Sequence, residues 1–231
     1  MKAKQIIVAL VIAAHVGAAQ GQSQVELNNQ AREARLSAEA KLDKVQTSLM
    51  AKQPADAKSK LQKALLAWDS FVDRECEFET MKTVGGTIHG MLVAYCEARL
   101  TDQRATDFER MLSDCQQESG PSCPLASSRR SSDSAKQELE KADRKLNQVY
   151  TDLIKKLRAD AKPKLQTAQL SWIRFRDQEC DFETTAASRE TRPVALASCQ
   201  ARLTGLRAGD LDKMLQECGP EGDLSCPPLA N

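Results

Sequence analysis

LQKALLAWDSFVDRECEFET, residues 61–80, is written again as LQTAQLSWIRFRDQECDFET at residues 165–184. In both copies Leu, Ala, Trp, Phe and Glu fall at steps of 3, 4, 3 and 4, followed at once by Cys: Leu61, Ala64, Trp68, Phe71, Glu75, Cys76, then Leu165, Ala168, Trp172, Phe175, Glu179, Cys180. Such steps place the side chains along one stripe of an α-helix, so each stretch predicts a helix whose apolar seam faces a core. The chain's two tryptophans occupy the same seam position, where a large ring buries the most apolar area per residue.

A duplication within 231 residues predicts two modules of about 100 residues each, 22–126 and 127–231. Low aromatic content (4%) with abundant Ala, Leu, Lys, Glu, Gln and Arg favours helices. Residues 1–21 read as a secretory signal: Lys2 and Lys4, the apolar run Ile6–Val16, then Gly17, Ala18 and Ala19. The apolar run is too short to span a bilayer, and no cysteine precedes Cys76 to carry a lipid. A soluble, exported chain without membrane insertion is expected, in a periplasm or outside the cell. Removing Lys2 and Lys4 leaves 31 basic against 32 acidic residues, which argues against nucleic acid as a partner.

Each half predicts three helices. The first helices cover Val25–Gln53, with Leu36, Leu42, Val45 and Leu49 as stripe, and about Ser134–Asp160, with Leu139, Leu146, Val149 and Leu153. Pro54 and Pro163 lie at the breaks. The Trp helices follow. The first ends in an acidic run, Asp73, Glu75, Glu77 and Glu79, and turns through Gly85-Gly86, a pair that readily takes positive φ. The second turn lacks glycine. The third helices carry CEARLT from Cys96 and CQARLT from Cys199, with Arg104 and Arg207 each eight residues past the cysteine. Ser127–Ser134 reads as a solvated linker.

Eight cysteines behind a signal peptide imply disulfides. Their spacings, 20, 19 and 8 residues and then 19, 19 and 8, repeat with the halves. Cys76 and Cys96 lie at similar distances from the glycine turn, so two antiparallel helices bring them level. The expected pairs are Cys76 with Cys96, Cys115 with Cys123, Cys180 with Cys199, and Cys218 with Cys226.

WDSFVDREC with CEARLTDQR, and WIRFRDQEC with CQARLTGLR, resemble the domain of the LprI-type lysozyme inhibitors, in two copies covering nearly all of the exported chain. The resemblance implies small, all-helical, disulfide-bearing secreted domains and, for the named inhibitor, binding to lysozyme. Val72 stands where the family usually has the arginine supplied in the second copy by Arg176; the glycine turn survives only in the first copy; and the lipidation cysteine of the named member is missing.

The residues offer little chemistry. Glu75 and Glu79, repeated as Glu179 and Glu183, could serve glycoside hydrolysis as paired acids. The structural reading is preferred: Glu79 as a solvated face residue, and Glu75 and Glu179 bonded to Arg104 and Arg207 of their own halves, locking second helix on third. His89 is the one histidine left after the leader, too few for a zinc site with oxidised cysteines or for a hydrolytic triad. Neither enzymatic activity nor a cofactor is expected. Gly85, Gly86, Thr87, Ile88 and His89 form a candidate tip for entering a partner's cleft, and the acidic stretch Asp69–Glu79 could draw in a basic enzyme such as a lysozyme. The sequence thus predicts an all-α protein of two tandem three-helix, disulfide-stapled domains, and the resemblance implies that it binds and occludes a lysozyme or another peptidoglycan-cleaving enzyme. The alternative is an envelope-stress or toxin-immunity module.

Overall fold

The computed structural model describes residues 23–117, 131–218 and 226–229. These form α1 (Gln24–Ala51), α2 (Ala55–Glu79), α3 (His89–Gln117), α4 (Ser132–Lys156), α5 (Lys162–Glu183) and α6 (Arg192–Glu217), with one 3-10 turn, Met81–Thr83, after α2. The fold is all-α, two tandem three-helix units stapled by disulfides. The signal sequence expected over 1–21, and Cys123 of the expected Cys115–Cys123 pair, lie outside the described residues.

Local chemistry sets the helix ends. Ser23 and Ser131 cap α1 and α4, each hydroxyl accepting a hydrogen bond at 3.2 Å from the amide three residues on. The Ser131 cap, with Asp133 in the first turn, starts α4 at Ser132, inside the stretch expected to be linker. Pro54 is the N-cap of α2, and Pro163 lies in the first turn of α5. Both prolines therefore launch the Trp helices, at positions whose missing amide hydrogen would have had no partner.

The apolar stripe of α1 holds at Val45 and Leu49, with Leu42 packed beside them, but not at Leu36. Leu36 is 47% exposed, and the buried positions are Ala31, Ala38, Val45 and Leu49. Alanines lie on the facing helix too, with Ala98 and Ala105 of α3 buried, and small side chains let α1 and α3 pack closely along their length. Here helix pairing follows the small residues and leaves an isolated leucine outside.

The main pairings are α1 with α3, α4 with α6, and α2 with α5. The last joins the two copies. Lys60 near the start of α2 bonds Asp181 near the end of α5 at 3.1 Å, and Glu77 near the end of α2 bonds Lys164 near the start of α5 at 2.6 Å, so the Trp helices run antiparallel. At their crossing Trp68 meets Phe175 edge-on at 4.9 Å, and Phe71 stacks on Phe175 at 6.2 Å. Trp68 and Trp172 share one apolar cluster with Leu146, Leu165 and Leu211, rather than each centring a core of its own. Phe182 of α5 reaches into the cluster of Val45, Leu49, Leu61 and Phe108 in the first copy. Its counterpart Phe78 of α2 lies, fully buried, in the cluster built mainly by the second.

Disulfides fasten the outer helices to this central pair. Cys76–Cys96 joins α2 to α3 and Cys180–Cys199 joins α5 to α6, while Cys218–Cys226 ties the tail to the end of α6. The tail then docks on the α4–α5 connection, where the Arg158 amide donates to Pro228 O at 3.0 Å. Closing a 20-residue loop restricts the unfolded chain, so the double variant Cys76→Ala/Cys96→Ala is expected to lose roughly 3 kcal/mol of unfolding free energy in urea titration.

Candidate functional site

Beside the aromatic crossing each Trp helix presents a buried glutamate, Glu75 on α2 and Glu179 on α5. Neither bonds the arginine of its own half. Arg207 of α6 grips Glu75 through both terminal nitrogens, at 2.6 and 2.9 Å, and Arg104 of α3 grips Glu179 at 2.8 and 2.5 Å. The expected pairs Glu75–Arg104 and Glu179–Arg207 are thus exchanged between the copies, because α2 and α5 cross and each carries its glutamate to the other copy's third helix. All four side chains are at most 2% exposed. A lone charge there would be strongly unfavourable, so each forked pair requires the opposite half to be in place.

The two arginines are satisfied differently. Arg207 Nε donates to Gln169 Oε1 at 3.1 Å, and its guanidinium lies 5.3 Å from the Phe71 ring. The first copy has Leu65 where the second has Gln169, and Arg104 Nε has no hydrogen-bond partner among the described residues. Arg104 instead sits among three rings, 4.1 Å from Phe108, 5.1 Å from Phe175 and 5.6 Å from Trp68. Arg176 lies 5.3 Å from the Trp172 ring and reaches Thr204, whereas Val72 fills the corresponding place in the first copy as a buried apolar residue.

One turn further along each Trp helix, Glu79 and Glu183 are not solvated face residues. Their side chains are 14% and 9% exposed. Glu79 accepts from Arg99 at 2.7 and 2.8 Å, and Glu183 accepts from Arg202. Burial, reinforced by the negative charge of Glu75, pushes the Glu79 carboxyl up to about 7 against the pull of Arg99. Burial does the same to Glu183, also to about 7, outweighing the attraction of Arg202. The arginine of each Arg-Leu-Thr block is thus a structural partner that sequence reading missed; its repetition at the same place in both copies was the available sign. With Glu75 and Glu79 buried in pairs, the acidic run on α2 leaves Asp69, Asp73 and Glu77 outward, and Glu77 is bonded to Arg74 and Lys164.

The α2–α3 turn exposes Val84, Gly85, Gly86 and Thr87, while Ile88 and His89 are half-buried. Gly85 has φ +82°, a region that side chains disfavour. A Cβ on Gly86 would lie 3.1 Å from Thr83 O, the same carbonyl that accepts its amide at 2.8 Å. Thr83 Oγ1 and His89 Nδ1, 3.0 Å apart, tie the base of the turn. Among the described residues no group of His, Cys, Asp and Glu is placed to hold a metal ion.

Two outcomes follow. Arg207→Ala, leaving Glu75 buried and unpaired, is expected to destabilise the whole chain by about 3–5 kcal/mol in denaturant unfolding, whereas Glu75→Leu/Arg207→Leu loses less than either single change. Glu79 and Glu183 hold protons to about pH 7 when folded, but only to about 4.5 as ordinary glutamates. The folded state therefore binds more protons in that window, and their contribution to stability is lost as pH rises through about 7. Thermal midpoints should fall between about pH 5 and about pH 8, and Glu79→Gln/Glu183→Gln should flatten the decline.

The family model described as lysozyme inhibitor LprI matches residues 16–108 and again 123–211. No curated protein matches the chain. Among solved structures, an uncharacterised protein from Burkholderia thailandensis has a similar fold, with a TM-score of 0.58 and 22% identity over 84% of this chain and 89% of that one. Two matched segments spanning most of its length place the chain in the lysozyme inhibitor LprI family, carried here as two tandem copies.

Proposed function

We propose that this chain is an exported, non-catalytic inhibitor of a peptidoglycan-cleaving muramidase, acting in the periplasm or outside the cell. The inhibitory element is the α2–α3 turn, Gly85 to His89, which enters the enzyme's cleft and occludes it. The matched segments support two modules, 22–126 and 127–231, of which only the first carries this turn.

The observation that carries the reading is the turn itself. It exposes small and apolar groups on a backbone held by the Gly86 amide's hydrogen bond to Thr83 O and by the Thr83–His89 contact, with the Cys76–Cys96 bond behind it. A loop held in one conformation loses little freedom on docking, which favours cleft insertion. A non-catalytic role is supported by Glu75 and Glu179, whose carboxylates are already engaged by forked arginines and poorly placed to exchange protons with a substrate. No described helix is long and apolar enough to cross a membrane, and the disulfides suit an oxidising compartment.

In a turbidity assay, the purified protein should slow lysozyme-driven clearing of a cell-wall suspension at near-stoichiometric ratios. Replacing 85–89 with a serine-rich turn of equal length should weaken inhibition by about tenfold or more while helicity persists, the scale of losing one buried contact patch. Unchanged clearing with several lysozyme classes would reject the inhibitor reading in favour of an envelope-stress or immunity module. Full inhibition by the turn variant would reject the turn as its site.

A further inference from the structure

Neither the crossed ion pairs nor the turn accounts for the groove between α3 and α6. These helices flank the central α2–α5 pair, and the gap over α2 has a volume of about 510 Å³, within the range of sites that accept a ligand or an inserted side chain. It continues into a narrow part of about 40 Å³ above the rings of Trp68, Trp172 and Phe175. Both parts are lined by Phe71, Leu100, Gln103, Arg207 and Asp210, so they form one groove. Leu92, Tyr95 and Met214 give its wide end an apolar wall, with the adaptable thioether of Met214 among them.

The charges along this groove do not balance. Glu75, Glu79, Asp107, Asp210 and Glu217 line it against Arg99, Arg207 and Lys213. Arg207 is taken by Glu75 and Arg99 by Glu79, and Lys213 lies 3.9 Å from Glu217. Asp107 is bonded to Arg110 at 3.0 Å. Its counterpart Asp210 has Lys213 at the equivalent spacing, yet makes no ion pair or hydrogen bond to any described residue, and it stands where the wide and narrow parts meet. Although Asp210 reaches solvent, partial desolvation by the groove walls holds its carboxyl above the usual carboxylate range; Arg207 opposes this and the charge of Glu75 adds to it.

We propose that this groove receives a basic side chain from a partner protein, its ammonium or guanidinium group meeting Asp210 and the apolar residues beside it packing on Leu92, Tyr95 and Met214. The pairing supplies a cation at the lining carboxylate that has no ion pair among the described residues, so the charges of groove and partner become complementary. The site is independent of which enzyme the turn engages.

Trp68 and Trp172, the only tryptophans, line the narrow part, so intrinsic fluorescence reports occupancy directly. The full exported chain is titrated with the blocked peptide acetyl-Leu-Lys-Leu-Lys-Leu-amide and, separately, with its glutamate counterpart. The lysine peptide should give a saturable change that added salt weakens; the glutamate peptide should give none. Asp210→Asn should weaken binding roughly three- to fivefold, as expected for one partly exposed ion pair, and Lys213→Gln, which removes a competing cation, should tighten it. Asp210 and Lys213 are both exposed, so the variants keep the fold. The proposal is overturned by no saturable response to the lysine peptide, by equal responses to both peptides, or by unaltered affinity in Asp210→Asn.

Discussion

Two buried carboxylates, each gripped by an arginine from the opposite copy, constrain the rest of this structure. Glu75–Arg207 and Glu179–Arg104 are almost completely removed from solvent, and a charge so placed is tolerable only with its partner present. Neither copy therefore reaches its observed arrangement with its own residues alone. The crossing of α2 and α5 delivers each glutamate, and the pairing of the third helices with α1 and α4 positions each arginine. The aromatic crossing fills the space between the two pairs, so the apolar and ionic parts of the interface depend on the same antiparallel register.

This is the geometry of an exchanged dimer written into one chain. A duplicated sequence offers every contact twice, once within a copy and once between copies. The Trp helices take the second choice: α2 and α5 pack chiefly on each other, which places Phe78 and Phe182 in apolar clusters built largely by the other copy. Buried ion pairs add little net stability compared with apolar packing, but they reject misregistered alternatives that would strand a charge. Their contribution here is to fix which copy of each helix meets which.

Much of this was legible in the sequence and part was not, for identifiable reasons. The 3-4-3-4 seam around Trp68 and Trp172 states a helix because only that period collects those side chains on one face. The cysteine spacings are likewise set by helix length. Partner choice was hidden, since Arg104 and Arg207 stand in equivalent positions and either satisfies Glu75 on paper; only the three-dimensional crossing separates them. The alanines of α1 are hard to see in the sequence because small side chains give a weak hydropathy signal even where they allow the closest helix contact. Glu79 and Glu183 read as surface acids in the sequence because nothing in the local pattern shows that Arg99 and Arg202 fold over them. The groove at Asp210 joins α2, α3 and α6, which come together only through the exchange.

The interlock also supports the proposed inhibitory role. A turn meant to enter an enzyme's cleft needs a base that does not yield, and here that base is tied by a disulfide to a core shared by both copies. The most direct test of the shared core is native-state hydrogen exchange on Arg207→Met. If the copies interlock through Glu75, amides of α2 and α3 in the first copy lose protection together with those of α6 in the second. Loss confined to residues 131–229, with α2 and α3 protected as before, would contradict the account.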